Sequence, residues 1–189
     1  MLINSQKTAG RTKAFTLVEL LVVIGVIALL MGILVPILGK AKAASLTTVC
    51  KSNLRNIALG FRAYLDDNSN VMPPACRFPS LYDPNYSTRP PITQFLRPYL
   101  QEPNNPRHKI FRCPADIVVK YYISQGTSYE YNASLGGQPI SRSRLAQNGE
   151  KERNIHVLSD YDPFHGDPNR PGGKNYLYAD GHIGDLRNQ

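Results

Sequence analysis

Three cysteines in 189 residues are too few for a disulfide-knotted miniprotein. No Gly-x-Ser-x-Gly elbow, phosphate-binding loop, dinucleotide fingerprint or His-Glu-x-x-His run occurs, so no pattern marks a serine hydrolase, a nucleotide-binding enzyme or a zinc peptidase. Acids are missing from residues 1–14, which carry Lys7, Arg11 and Lys13. Ionisable groups are almost missing from Phe15 to Leu38, where 19 of 24 residues are apolar and Glu19 stands alone. The remaining residues are polar enough to bring mean hydropathy down to −0.31. That uneven division excludes a freely soluble single-domain protein. The net charge of +8 divides in the same way: +3 falls in residues 1–14, and residues 39–189 hold 19 basic against 13 acidic groups, interspersed. Such mild basicity does not point to nucleic acid as a partner.

A bilayer core about 30 Å thick needs roughly 20 apolar helical residues, and Phe15–Leu38 meets that length. Its 17 Leu, Ile, Val and Phe side chains favour insertion by about 7 kcal/mol, against a cost near 3 kcal/mol for Glu19. The basic residues before the span keep residues 1–14 in the cytoplasm and send the carboxy-terminal part across. Two plain alternatives are a secretory signal peptide cut after Ala41-Lys42-Ala43 and an uncleaved anchor. Signal-peptide apolar regions run about 7–15 residues, shorter than this one. Neither alternative gives Glu19 a purpose. A cut just before Phe15 would place a new α-amine about one helical turn from Glu19. In a bundle of identical helices that amine could pair with a neighbour's carboxylate and fix the axial register.

The run Lys13-Ala14-Phe15-Thr16-Leu17-Val18-Glu19-Leu20-Leu21-Val22-Val23-Ile24 resembles the type IV prepilin leader junction, shared by pilins and type II secretion pseudopilins. The resemblance implies cleavage between Ala14 and Phe15 by prepilin peptidase, methylation of the Phe15 amine, and Glu19 as the register-setting carboxylate. Where that family usually carries Gly before the cut, this chain has Ala14. The resemblance also implies an assembly ATPase, a platform protein and other pilin or pseudopilin subunits as partners, with membrane lipid around the helix before extraction.

Beyond the span, Leu46, Cys50, Leu54, Ile57, Ala58, Phe61 and Leu65 recur at spacings of three and four, predicting an amphipathic helix. A continuous helix from Phe15 to about Asp67, its membrane part 15–39, would be roughly 80 Å long. Pro36 removes one backbone hydrogen bond and is expected to bend it, a feature grouped with Glu19 as serving assembly. Ten prolines between Pro73 and Pro114 exclude a long helix there, although Ile92–Leu100 could form a short one. Tyr121–Ser124, Ser128–Tyr131 and Ile155–Ser159 read as strands. Asp180-Gly181 between Tyr176–Ala179 and His182–Leu186 predicts a hairpin with a type I′ turn. The expected fold class is α+β: a leader at 1–14, a long helix at 15–67, and an exported head at 68–189 whose small antiparallel sheet packs on the amphipathic half of the helix.

Cys50, Cys76 and Cys113 allow three pairings in an oxidising compartment, with one thiol left over. Asp160, Asp162, His165, Asp167, Asp180 and His182 gather near the carboxy terminus. Asp160, Asp162, His165, Asp180 and His182 are the candidate metal ligands; loop oxygens suit calcium, although the spacing is not that of an EF-hand. Cys50-Lys51-Ser52-Asn53-Leu54-Arg55-Asn56, Phe111-Arg112-Cys113-Pro114, Ser128-Tyr129-Glu130-Tyr131-Asn132 and His165 with Asn175…Asp180-Gly181-His182 are similar to a bacterial pilin-like group. In that group the prepilin leader is joined to a processing-associated His-x9-Asp-Gly head. Here fourteen residues separate His165 from Asp180. This second resemblance implies a Cys50–Cys113 disulfide and a head without defined activity. The expected function is therefore a non-enzymatic fibre subunit for protein secretion, anchored in the cytoplasmic (inner) membrane before assembly. The rivals are a non-polymerising surface-binding protein and a minor pilin in DNA uptake.

Overall fold

The computed structural model describes residues 16–78, 88–100, 109–167 and 172–185. It divides into two compact units, Met1–Ala41 and Lys42–Gln189. Helix α1 (Leu17–Asp67) begins in the first and continues into the second, with Pro36 inside it.

In the first unit the large side chains from Leu17 to Leu38 are all exposed. A helix apolar on every side has no core of its own to enter, so its cover must be lipid or another chain. It is the one helix among the described residues long and apolar enough to cross a membrane.

In the second unit α1 is amphipathic, as its stripe predicts. It buries Cys50, Leu54, Ile57, Gly60, Phe61, Tyr64 and Leu65, while Leu46 and Ala58 pack at the edge of the same cluster. Asn68, Ser69 and Asn70 end the helix without a glycine. The Asn70 amide reaches back to Leu65 O (2.8 Å), and Ser69 and Asn70 adopt the left-handed conformation (φ 54° and 59°).

Helix α2 (Ile92–Leu96) continues into a 3-10 turn at Arg97–Tyr99, matching the short helix expected there. The sheet consists of β1 (Tyr129–Tyr131), β2 (His156–Asp160), β3 (Tyr176–Tyr178) and β4 (Ile183–Gly184), all antiparallel in the order β1-β2-β3-β4. From Val157 to Asp160 strand β2 is buried at every position, because both its edges are paired and both its faces are covered. The core joins the α1 stripe to Leu96, Leu100, Tyr129, Tyr131, Leu158 and Leu177 in one cluster. The architecture is α+β and pilin-like: a long amino-terminal helix followed by a small antiparallel sheet.

Two local expectations are corrected. Tyr121–Gln125 is not a strand but a short helix, α3, despite two tyrosines and an isoleucine. The buried Asp116 carboxylate takes its first amides: Tyr121 N–H donates to Oδ1 (3.0 Å) and Tyr122 N–H to Oδ2 (2.9 Å). Those two bonds satisfy amides that open a helical turn and outweigh the β propensity of the segment. The hairpin stands where Asp180-Gly181 placed it, but its turn differs. Gly181 N–H donates to Tyr178 O (2.9 Å), Tyr178 N–H donates to His182 O (3.0 Å), and Gly181 alone has positive φ (91°). That is the three-residue loop with a left-handed glycine rather than a type I′ turn, which needs two such residues.

Candidate functional site

Two places combine placed polar chemistry with expected function: the start of α1 and the buried polar cluster beneath the head's first helical turns.

Helix α1 starts where it does because Thr16 and Glu19 cap it reciprocally. Thr16 donates from its backbone N–H and from its hydroxyl to Glu19 Oε2 (2.9 Å each), and Thr16 Oγ1 accepts from Glu19 N–H (3.2 Å). This capping box was readable as Thr-x-x-Glu ahead of an apolar run, and sequence reasoning gave Glu19 only its register role. The carboxylate therefore faces the helix amino terminus, where the macrodipole favours negative charge. Its oxygen sits on the backbone amide of the residue that follows Phe15. Ala14 and Phe15 themselves lie outside the described residues.

In the head, a disulfide joins Cys50 on α1 to Cys113, and Cys76 is a free, buried thiol. His165 lies beside that disulfide with its side chain buried. Its Nδ1 is 3.1 Å from Thr47 Oγ1, and its Nε2 is 3.4 Å from both Cys113 Sγ and Asp160 Oδ2. Asp160, at the end of β2, is fully buried, and its Oδ2 accepts from Asn175 N–H and Nδ2 (2.8 Å each). Tyr129 stands opposite Asp160 in the sheet; burial, then the nearby carboxylate, push its phenol well above the ordinary range. The cluster thus ties β1, β2, the loop before β3 and the first head turns of α1 to one another.

The expected metal ligands are not gathered together. Asp160 and His165 form one buried pair. Asp180 and His182 form another in the exposed hairpin turn (2.6 Å), where burial opposes ionisation but the His182 amide and imidazole hold the Asp180 carboxyl below its usual range. Asp162 bonds the Tyr121 hydroxyl, whose pKa burial and that carboxylate push up to about 12. Among the described residues, the group of three ligating side chains with donor atoms all within 4.8 Å is Cys50, Cys113 and His165, and its two sulfurs are bonded to each other. Thr47, which orients His165 across 118 positions, carried no sequence signal; Asn175 stood in the resemblance to the His–Asp-Gly head, but its bond to Asp160, 15 positions away, was not readable there.

An apolar groove of about 510 Å³ between α1 and the β3–β4 hairpin is lined by Ala58, Leu59, Leu65, Val157, Leu177 and Ala179 among others. Arg55, Arg62 and Asp180 add charge to its lining.

Residues 10–35 match the family described as the prokaryotic N-terminal methylation motif. No curated protein and no solved structure matches the chain. The matched segment spans the last leader residues, Phe15, the Thr16–Glu19 capping box and most of the apolar helix. The chain therefore carries the prepilin-type leader of type IV pilin-like and pseudopilin precursors, which points to processing by prepilin peptidase and assembly with other pilin subunits in a structural rather than enzymatic role.

Proposed function

We propose that this chain is a pseudopilin-type subunit of a short secretion fibre. It is cut between Ala14 and Phe15, methylated on the Phe15 amine, and stacked through the apolar part of α1. The observation that carries this reading is one carboxylate in an all-apolar, fully exposed helical segment, aimed at the end where processing frees an amine. In the bilayer the segment is covered by lipid; in the fibre, by neighbouring copies. Glu19 then caps its own helix in the precursor and meets a neighbour's Phe15 amine in the assembly, so a buried acid gains an opposite charge. Extraction from lipid needs external work, which assigns an assembly ATPase and a platform protein as partners. The Cys50–Cys113 disulfide supports an exported head, because such bonds persist in oxidising compartments.

The test is Glu19→Ala in cells with the rest of the machinery intact. The variant is expected to insert in the cytoplasmic membrane as wild type does and to lose sheared or crosslinked fibre. Wild-type fibre yield would overturn the register role, and crosslinking that captures only monomers of the unaltered chain would favour a non-polymerising surface protein.

A further inference from the structure

The head carries one aliphatic surface that the fibre reading does not use. Ile117, Val118, Val119 and Ile123 are 62%, 87%, 53% and 74% exposed. Outside the apolar segment, the other exposed large aliphatics among the described residues are Val49 (44%) and Leu59 (71%), both on α1. Four exposed aliphatics within seven residues are a concentration that water disfavours.

The patch is held out by its scaffold. Just before it, Cys113 is bonded to α1, and Asp116 N–H donates to Cys113 O (2.9 Å). The Asp116 carboxylate turns inward and accepts from Tyr121 N–H, Tyr122 N–H and the Ser128 hydroxyl (2.8 Å). Lys120 closes the loop in the left-handed conformation (φ 57°), a cost that a residue with a Cβ bears only where the surroundings impose it. A preorganised, exposed, aliphatic loop is the form of a binding surface rather than of a connector.

What surrounds it specifies the partner. Lys109, Arg112 and Lys120, in and just before this stretch of chain, are exposed, and the acid within the stretch, Asp116, is buried and fully engaged. Tyr121 and Tyr122, next in the chain after the aliphatic run, are half-buried; Arg112 lies over the Tyr122 ring (5.9 Å), and Tyr121 packs on Tyr161 and Phe164. The nearby Asp162 is engaged by the Tyr121 hydroxyl. An aliphatic tip, an aromatic collar and a cationic flank form the pattern of an interfacial membrane contact with anionic headgroups. The chain is tethered to a bilayer through residues 17–38, so this weak second contact acts at high effective concentration.

We propose that the Ile117–Ile123 loop seats the head on the anionic surface of the membrane in which the chain is anchored, before the subunit is extracted. This rests on that anchorage and not on polymerisation. The test exploits the absence of tryptophan from the chain. Full-length Val118→Trp, with Leu59→Trp as comparison, is placed in nanodiscs of phosphatidylcholine or of phosphatidylcholine with phosphatidylglycerol, with plain or brominated acyl chains.

The indole introduced by Val118→Trp is expected to shift to the blue and lose intensity in brominated discs, more so with phosphatidylglycerol, while that of Leu59→Trp does not. Adding Lys120→Asn, which removes the charge and tolerates left-handed backbone, is expected to weaken seating about fivefold in the anionic discs. Co-elution of the chain with the discs and an unquenched indole overturns the loop contact alone. A blue shift independent of bromine that grows with the number of chains per disc overturns it in favour of a second copy. Failure to co-elute with the discs overturns the anchorage as well.

Discussion

Asp116 shows how much one buried carboxylate can organise. It accepts from two amides that start α3 and from Ser128, and so fixes the loop between Cys113 and β1. Asp116→Ala would take the acceptor from three donors, the buried Ser128 hydroxyl and the half-buried Tyr121 and Tyr122 amides. At about 1–3 kcal/mol per group, partly recovered by relaxation, a loss of about 3 kcal/mol is expected, read as a lower melting temperature of the detergent-solubilised chain by near-ultraviolet circular dichroism. Asp116→Asn, which keeps acceptor capacity on one oxygen, is expected to lose less.

His156 supplies a pH dependence of known sign. Burial holds its imidazole below the ordinary value, with Glu130 opposing and Arg77 and Lys174 adding to the effect. The unfolded chain therefore takes up the proton first, near pH 6.5. Its contribution is fully present above that value and is lost as pH falls through the lower folded value. Melting from pH 7.5 down to pH 5 is expected to show falling stability, with a shallower slope in His156→Gln; an unchanged slope would remove His156 from the account.

At the scale of elements, the disulfide between α1 and Cys113 closes a loop with a sequence separation of 63. Loop-closure entropy gives such a bond about 4 kcal/mol. Cys113→Ser is expected to lower head stability by an amount of that order and to make the chain susceptible to proteolysis near 109–126. A melting temperature equal to wild type under oxidising conditions would contradict it.

The elements also show what the sequence could and could not reveal. The apolar run and the stripe from Leu46 to Leu65 each follow from one periodicity, so α1 was legible almost to the residue. Strands β1 and β2 and the hairpin followed from local patterning too. Helix α3 was not legible, because its deciding group, Asp116, lies outside the turn it caps and acts through folded proximity. The hairpin's place was legible but its turn type was not, because Asp-Gly fits two turn geometries and the bonds of Tyr178 with Gly181 and His182 select one of them. The carboxy-terminal acids and histidines were visible as a cluster along the chain. Their division into a buried Asp160–His165 pair and an exposed Asp180–His182 pair depended on which residues the sheet turned inward.

At the scale of the whole molecule, two segments meet opposite demands. One exposes aliphatic side chains on every side and requires a cover; the other buries its own core and carries polar groups outward. A chain with that division is an anchored or assembled component. The prepilin-type leader names the processing that separates the two outcomes. The central claim is that processing frees the Phe15 amine beside Glu19. Mass spectrometry of the amino terminus of protein recovered from membranes of cells with active prepilin peptidase tests it most directly. The expected first residue is N-methylated Phe15, with residues 1–14 absent; a chain that still begins at Met1, or one that begins at Ala44, would contradict the account.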